Sequence, residues 1–195
     1  METRNNPFIL YQDRVTSTND VLKELLRKDP SKGEIFLIAK EQTKGRGQFN
    51  RLWHSPSGTG LYLSWLFHPD KDFLPWVTRG VGLVLIDLLK DYRIDGSIKI
   101  PNDIYVEGKK IAGILTEAIH QGDLLVGVVV GIGLNLNQER SELEKEGLNA
   151  TTMALHTDVP VDGRTVGKAL VEKLKQLNTR TTEEIEREVE HYRIR

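Results

Sequence analysis

A glycine-rich loop at residues 44–53 carries side chains that could bind an anion or a phosphate. Two glycines flank Arg46, and Arg51 and Trp53 follow. Glycines let the backbone approach a ligand closely, and successive N–H groups of such a loop can point at an anion. Arginine forks suit carboxylate or phosphate, and Trp53 offers a flat apolar face for an aromatic base. The spacing matches neither a dinucleotide fingerprint nor a Gly-Lys-Ser/Thr phosphate loop, so by itself the segment is equally compatible with a mobile surface loop.

A second segment places a lysine among small residues on a predicted strand. Residues 99–103 read Lys-Ile-Pro-Asn-Asp, and residues 108–115 read Gly-Lys-Lys-Ile-Ala-Gly-Ile-Leu. A lysine is rarely buried without a partner, so an inward-facing Lys110 needs an anion. Asp103 is the candidate partner, or a metal ligand. The alternative is that Lys109 and Lys110 mark a solvated hairpin turn.

The third segment, Ser17-Thr18-Asn19, is typical of a helix start, because short polar side chains cap the free N–H groups of the first turn. Such a cap is compatible with a ligand site, since helix N-termini bind anions and polar head groups.

Hydrophobic periodicity predicts the elements that position these segments. Helices are expected after Ser17, from Pro75 to Tyr92, after Asp162, and after Thr181, which forms a capping-box pattern with Glu184. The expected strands are 8–11, 34–40, 61–67, 97–100, 104–106, 110–119 and 124–137. Turns at 107–108 and 121–123 predict hairpins. The apolar run 124–137 fits a central buried strand or a strand that lines a ligand site.

This pattern predicts an α+β fold with a mixed β-sheet backed by helices, and a single domain over residues 1–195. Hydrophobic residues make up 38% of the chain, enough for an ordinary core.

The net charge is −1, with both signs mixed, which argues against a nucleic-acid partner. The chain has no cysteine, which excludes disulfides and thiolate chemistry. We found neither a signal peptide in the polar N-terminus nor a membrane-spanning run, and expect a cytoplasmic protein.

Taken in order, these motifs resemble the catalytic domain of biotin–protein ligases. The resemblance extends from about Val15 to Asn137 and includes Gly131-Ile132-Gly133-Leu134-Asn135. It implies a fold similar to class II aminoacyl-tRNA synthetases. It also implies the family's reaction, in which biotin and ATP, with Mg²⁺, give biotinyl-5′-adenylate. The biotinyl group then passes to one lysine of a biotin carboxyl carrier protein or domain of a carboxylase.

The resemblance also implies roles for individual residues. The biotin-binding positions are Ser17, Thr18, Asn19, Gln42, Arg46, Gly47, Gln48 and Lys110. The nucleotide-binding positions are Arg51, Trp53, Asn102, Asp103, Lys110 and Asn135. The catalytic positions are Lys110, Arg51 and Asp103, with Lys110 central and Asp103 orienting it or assisting the incoming lysine. The resemblance assigns no residue to the metal.

The chain departs from the family pattern at several points. Gln48 stands where many members carry arginine, which removes one charged contact from the loop, and Ile100 replaces a tryptophan. From the sequence we expect a catalytic domain without the small β-barrel domain that often follows it in this family, and without the DNA-binding domain of repressor-type members before Ser17. The sequence does not distinguish a monomer from a homodimer.

Two other functions fit the same residues. One is a lipoate– or octanoate–protein ligase, which shares the general fold. The other is a truncated biotin-binding module without ligase activity, which would bind biotin tightly and release no pyrophosphate.

Overall fold

A computed structural model describes residues 7–145, 148–157 and 159–194, with the side chains of Asn50 and Asn178 excepted. The N-terminal residues 1–6, on which the absence of a signal peptide was argued, lie outside these ranges. The strands are β1 Phe8–Val15, β2 Ile35–Gln42, β3 Gly60–Phe67, β4 Ser97–Lys99, β5 Asp103–Val106, β6 Lys109–Gln121 and β7 Leu124–Asn135. The helices are α1 Thr18–Lys28, α2 Val77–Asp91, α3 Arg140–Lys145, α4 Gly163–Lys175 and α5 Thr182–Tyr192.

The strands form a seven-stranded mixed sheet in the order β1-β2-β3-β7-β6-β5-β4. The β1–β2 pair is parallel and every other pair is antiparallel. The β1–β2 connection contains α1, as a parallel pair requires a crossover. The predicted α+β class with a mixed sheet is therefore confirmed.

Helices cover the two faces of the sheet unequally. On one face α2, α4 and α5 pack over the larger core, which includes Trp65 stacked between Phe36 and Phe67. On the other face α1 packs through Leu22 and Leu26. Because strand side chains alternate between faces, the part of this second face beyond α1 is free to line a cavity.

Local sequence signals account for the element ends. Ser17 caps α1 by accepting from the Asp20 N–H, and Asp162 caps α4. Thr181 and Glu184 form the predicted capping box at α5. The hairpin turn at Glu107–Gly108 has positive φ at both residues, as two-residue turns between antiparallel strands require.

Some predicted bounds were wrong. The helix expected from Pro75 begins at Val77, after a 3₁₀ turn at Leu74–Trp76. The last strand ends at Asn135 rather than Asn137, and α3 was not predicted. None of the helices in the described ranges is both long and apolar enough to cross a membrane.

Candidate active site

A cavity of about 930 Å³ opens on the α1 face of the sheet. Three glycines of the sheet form part of its wall, Gly113 on β6 and Gly131 and Gly133 on β7. Gly113 and Gly133 are direct cross-strand partners, so the absence of two side chains at one place leaves a flat floor. The other walls come from the start of α1, the loop after β2, and the segment that follows β7.

Every residue predicted for the site lines this one cavity. The structure brings together Ser17, Thr18, Asn19, Gln42, Arg46, Gly47, Gln48, Arg51, Trp53, Asn102, Asp103, Lys110 and Asn135. Their roles toward a ligand remain predictions, because no ligand is present to test them.

The end of the cavity next to α1 is a buried network of neutral polar groups, which we call the polar end. Thr18 is 4% exposed, and both its N–H and its hydroxyl donate to Gln42 Oε1, at 2.8 and 3.0 Å. Gln42 Nε2 donates to Ser55 Oγ at 3.0 Å, and Ser55 Oγ donates to the Trp53 carbonyl at 2.9 Å. These bonds fix the Gln42 amide, and with it the loop entry, before any ligand arrives.

Asn19 ties α1 to the sheet. Its Oδ1 lies 2.5 Å from Ser64 Oγ, and its Nδ2 donates to a Glu117 carboxylate oxygen at 2.8 Å. A β-carbon at Gly131 would overlap the Asn19 amide, so this glycine is required for the close approach. Both ends of the Asn19 side chain therefore have protein partners, although the residue lines the cavity.

The glycine-rich loop at residues 44–53 folds back on itself. Gly47 N donates to the Arg51 carbonyl at 2.8 Å, and Trp53 N donates to the Gly45 carbonyl at 2.9 Å. At its tip Phe49 is 87% exposed and has a φ of 56°, in the left-handed region that non-glycine residues rarely adopt. Leu52 is also exposed.

Arg46 reaches from this loop to α1, where its Nη2 pairs with the Asp20 carboxylate. Its Nε is buried and has no hydrogen-bond partner among the described residues. A buried donor without a partner costs free energy, and an acceptor from a ligand would remove that cost.

Trp53 lies flat against the glycine floor. A β-carbon at Gly133 would overlap its ring, and one at Gly113 would approach the ring to 3.0 Å. Within the described part of the chain its buried Nε1 also has no hydrogen-bond partner. Lys110 Nζ is 5.1 Å from the ring centroid, within the range of a cation–π interaction.

Lys110 and Asp103 form the charged end of the cavity. Lys110 Nζ lies 2.7 Å from Asp103 Oδ1, and the two side chains are 28% and 22% exposed. The inward-facing interpretation of Lys110 is confirmed, and the solvated-turn interpretation holds only for Lys109, which is exposed. The β5–β6 hairpin brings Lys110 and Asp103 together. Asn102 stabilises the hairpin, because its Nδ2 donates to the Ile114 carbonyl at 2.9 Å.

The segment after α3 fixes the backbone of Lys110. Lys110 N donates to the Asn149 carbonyl at 3.1 Å, and Thr151 N donates to the Lys110 carbonyl at 2.8 Å. Asn135 Nδ2 donates to the Thr151 carbonyl at 3.0 Å, and His156 Nε2 lies 2.8 Å from the Thr151 hydroxyl. The charged end therefore depends on residues well downstream of the predicted motifs.

Tyr62 lies behind the cavity and holds the segment after Trp53, in which Pro56 lines the cavity. It is 1% exposed, and its hydroxyl donates to the Pro56 carbonyl at 3.0 Å. Burial raises the pKa of the Tyr62 phenol to about 12, because the phenolate would lose its hydration.

Sequence reasoning missed several residues of the site. Three of them bind predicted residues: Ser64 and Glu117 contact Asn19, and Ser55 contacts Gln42. Four others line the cavity, namely Glu142, Lys145, Asn149 and Ala150. Ser64 carried a usable signal, a lone hydroxyl in an otherwise apolar strand, which needs a partner when buried.

A model of the biotin/lipoate A/B protein ligase family matches residues 11–135, and the chain belongs to this family. A bifunctional ligase/repressor BirA from Bacillus spizizenii is 35% identical over 141 residues, which are 71% of this chain and 43% of that protein. The chain thus spans less than half the length of this relative.

Solved structures support the same placement. A biotin protein ligase from Aquifex aeolicus, in complex with biotin and ATP, has a TM-score of 0.79 and 32% identity, covering 96% of this chain and 78% of that one. A lipoate-bound LipL1 from P. falciparum has a TM-score of 0.58 and 12% identity, covering 89% and 63%. The second likeness concerns the fold alone, so the fold does not identify the acid.

Proposed function

We propose that the protein is a biotin–protein ligase that activates biotin with ATP and transfers it to a lysine of a biotin carboxyl carrier domain, in the cytoplasm. The observation that carries the proposal is one cavity that joins a neutral polar end to the Lys110–Asp103 pair. The similarity to the Aquifex ligase, solved with biotin and ATP, supports the same assignment.

The polar end suits the ureido ring of biotin. That ring is neutral, with both donors and acceptors, and Ser17, Thr18 and Gln42 offer hydroxyl and amide groups rather than charges. A cavity lined with hydroxyl and amide groups favours a ligand ring that can form hydrogen bonds over one that cannot. This favours biotin over lipoate, whose ring is apolar.

The charged end suits the activation step. A carboxylate oxygen of biotin attacks the α-phosphorus of ATP, an anhydride bond forms, and pyrophosphate leaves. Two anions must approach each other, so fixed positive charge lowers the barrier. Lys110 and Arg51 are the cations we assign to this role, and Asp103 holds the Lys110 ammonium in place.

Mg²⁺ accompanies ATP in this proposal. The ion commonly keeps phosphate oxygens and waters as ligands and takes one or two protein carboxylates. Asp103 and Glu142 are carboxylates of the cavity lining and fit that requirement, whereas no cluster of three or more candidate metal ligands occurs among the described residues. Bound with the nucleotide, Mg²⁺ would neutralise charge on the phosphates.

Transfer completes the reaction. The amine of the carrier lysine attacks the acyl carbon of the adenylate, an amide bond forms, and AMP leaves. We assign Asp103 to orient the incoming amine. The adenylate hydrolyses in water, so closure of the loop that carries Arg46 over the cavity would protect it.

The test is ATP-dependent labelling. The protein is incubated with ATP, Mg²⁺, labelled biotin and a biotin carboxyl carrier domain, and the carrier is analysed for label. We expect label on the acceptor lysine, none without ATP, and none on a carrier whose acceptor lysine is replaced by arginine. Folded protein that leaves the carrier unlabelled contradicts the proposal.

The same assay separates the two alternatives. Labelling with lipoate or octanoate in preference to biotin identifies a lipoate or octanoate ligase. Tight biotin binding without ATP-dependent pyrophosphate release identifies a biotin-binding module without ligase activity.

A further inference from the structure

Glu117 on β6 sits at a junction of three parts of the molecule. One carboxylate oxygen accepts from Asn19 Nδ2 at 2.8 Å, and the other accepts from Lys23 Nζ at 2.6 Å. The second oxygen also lies 3.8 Å from Arg46 Nη2. Glu117 thus connects the sheet with the first turns of α1 and with the glycine-rich loop.

Glu117 does not itself line the cavity, whereas two of the residues it contacts, Asn19 and Arg46, do. The carboxylate therefore acts behind the cavity wall, on side chains that face the ligand space.

The charges at the junction are balanced. Lys23 Nζ lies 3.0 Å from Asp20 Oδ1 as well as 2.6 Å from Glu117, and Asp20 also pairs with Arg46. Two carboxylates and two cations alternate, and Lys23 is only 8% exposed. Removing one partner leaves the others with uncompensated charge, and the cost is largest at Lys23, because the side chains of Asp20, Arg46 and Glu117 are 43%, 31% and 24% exposed.

We propose that Glu117 is a positioning residue for the acid substrate, a role that rests on the proposed function. It sets the orientation of the Asn19 amide and limits where the Arg46 guanidinium lies, and so shapes the polar end without touching the ligand. Asn19 Nδ2 and Lys23 Nζ both donate to the Glu117 carboxylate. A glutamine there would offer them only one acceptor oxygen, because its other group is an NH₂ donor. Asn19 or Lys23 would then lose its bond.

The experiment compares Glu117→Gln with the parent protein in biotin titrations, pyrophosphate release and thermal unfolding. We expect the Kd for biotin to rise about 10- to 100-fold, because the Asn19 amide would lose the charged acceptor that holds its orientation. The KM for ATP and the kcat at saturating biotin should change less than about threefold, because Lys110 and Asp103 are not contacted.

Glu188→Gln is the matched control. Glu188 also accepts from a cation that bridges two carboxylates, since Arg180 pairs with Glu188 at 2.9 Å and with Asp87. That junction joins α2 to α5 on the other face of the sheet. We expect this variant to bind biotin as the parent does. An equal loss of biotin affinity in both variants would overturn the inference.

A double-mutant cycle tests the route through Asn19. If Glu117 acts by orienting Asn19, then Glu117→Gln should weaken biotin binding much less in an Asn19→Ala background than in the parent. Fully additive losses would overturn the route. If Glu117→Gln fails to fold, Lys23→Met tests the same junction, and an unchanged Kd for biotin in that variant overturns it.

The remaining outcomes are distinct. A parent protein that binds no biotin overturns the proposed function and this inference together. A parent that binds biotin, with a Glu117→Gln variant that binds equally well and only melts at a lower temperature, overturns the positioning role alone.

Discussion

At the polar end of the cavity, buried side chains already satisfy one another, whereas the glycine-rich loop leaves two buried donors without partners in the described chain. Thr18 and Gln42 are joined by two hydrogen bonds, and Asn19 is fixed at both ends of its amide. Arg46 Nε and Trp53 Nε1 belong to the second group. We therefore expect the polar end to bind a ligand with little rearrangement. The glycine-rich loop, in contrast, has donors that gain hydrogen bonds only when a ligand is present.

Replacing Lys110 tests the charged end most severely. Lys110→Ala removes the ammonium that lies 2.7 Å from Asp103, so we expect the rate of adenylate formation to fall about 10²- to 10³-fold. Biotin affinity should change much less, because the polar end is intact. Pyrophosphate release and biotin titration measure the two effects.

Lys109→Ala is the control for that change. Lys109 is the exposed neighbour and does not line the cavity, so its loss should leave the rate near that of the parent. A similar fall in both variants would show that the ion pair has no special role.

Tyr62 provides a pH test of the buried support beneath the cavity. Its pKa is raised from 10.0 to about 12, so between these values the unfolded chain releases a proton that the folded chain retains. The free energy of unfolding should therefore fall as pH rises through this window, by up to about 2.7 kcal/mol for two pKa units. Urea unfolding at pH 9 and pH 11.5 measures the fall.

Tyr62→Phe should remove this part of the pH dependence. Tyr11→Phe, at an exposed tyrosine of β1, controls for the loss of one hydroxyl. Identical pH dependence in the parent and in Tyr62→Phe would contradict the assignment.

Gly133→Ala tests the glycine floor with a smaller change. A β-carbon there would overlap the Trp53 ring, and overpacking of this kind costs about 1–3 kcal/mol. We expect the KM for ATP to rise about tenfold as the ring is displaced, with biotin affinity affected less.

Gly33→Ala is the comparison for that variant, because a β-carbon at Gly33 would meet no heavy atom within 4 Å. If Gly133→Ala behaves like Gly33→Ala in the ATP titration, then the packing of Trp53 on the floor does not matter for the nucleotide.

The sequence predicted the parts of the molecule that depend on local signals. Ser17 caps α1, Thr181 caps α5, and the alternation in β3 separates the core face from the cavity face, because caps and strand periodicity act over a few residues. The family resemblance and the fold class are confirmed. The strand 124–137 proved to be both central and cavity-lining, so the two readings did not exclude each other.

Supporting residues were not predictable in the same way. Glu117 lies about a hundred positions from Asn19, and Thr151 contacts Lys110 through backbone atoms that no side-chain motif reports. α3 is short, polar and without a strong apolar stripe, so periodicity gave no signal for it. Such contacts depend on the sheet order, which local patterns do not specify.

The position of Trp53 has a practical consequence for optical work on the protein. The chain has three tryptophans, and Trp65 is enclosed by Phe36 and Phe67 while Trp76 lies beside Arg79. Among them, Trp53 alone lines the cavity, on a loop and near the Lys110 ammonium. Its indole emission responds to the polarity and charge around the ring. The protein therefore carries its own fluorophore for following occupancy of the cavity in real time, without an attached dye.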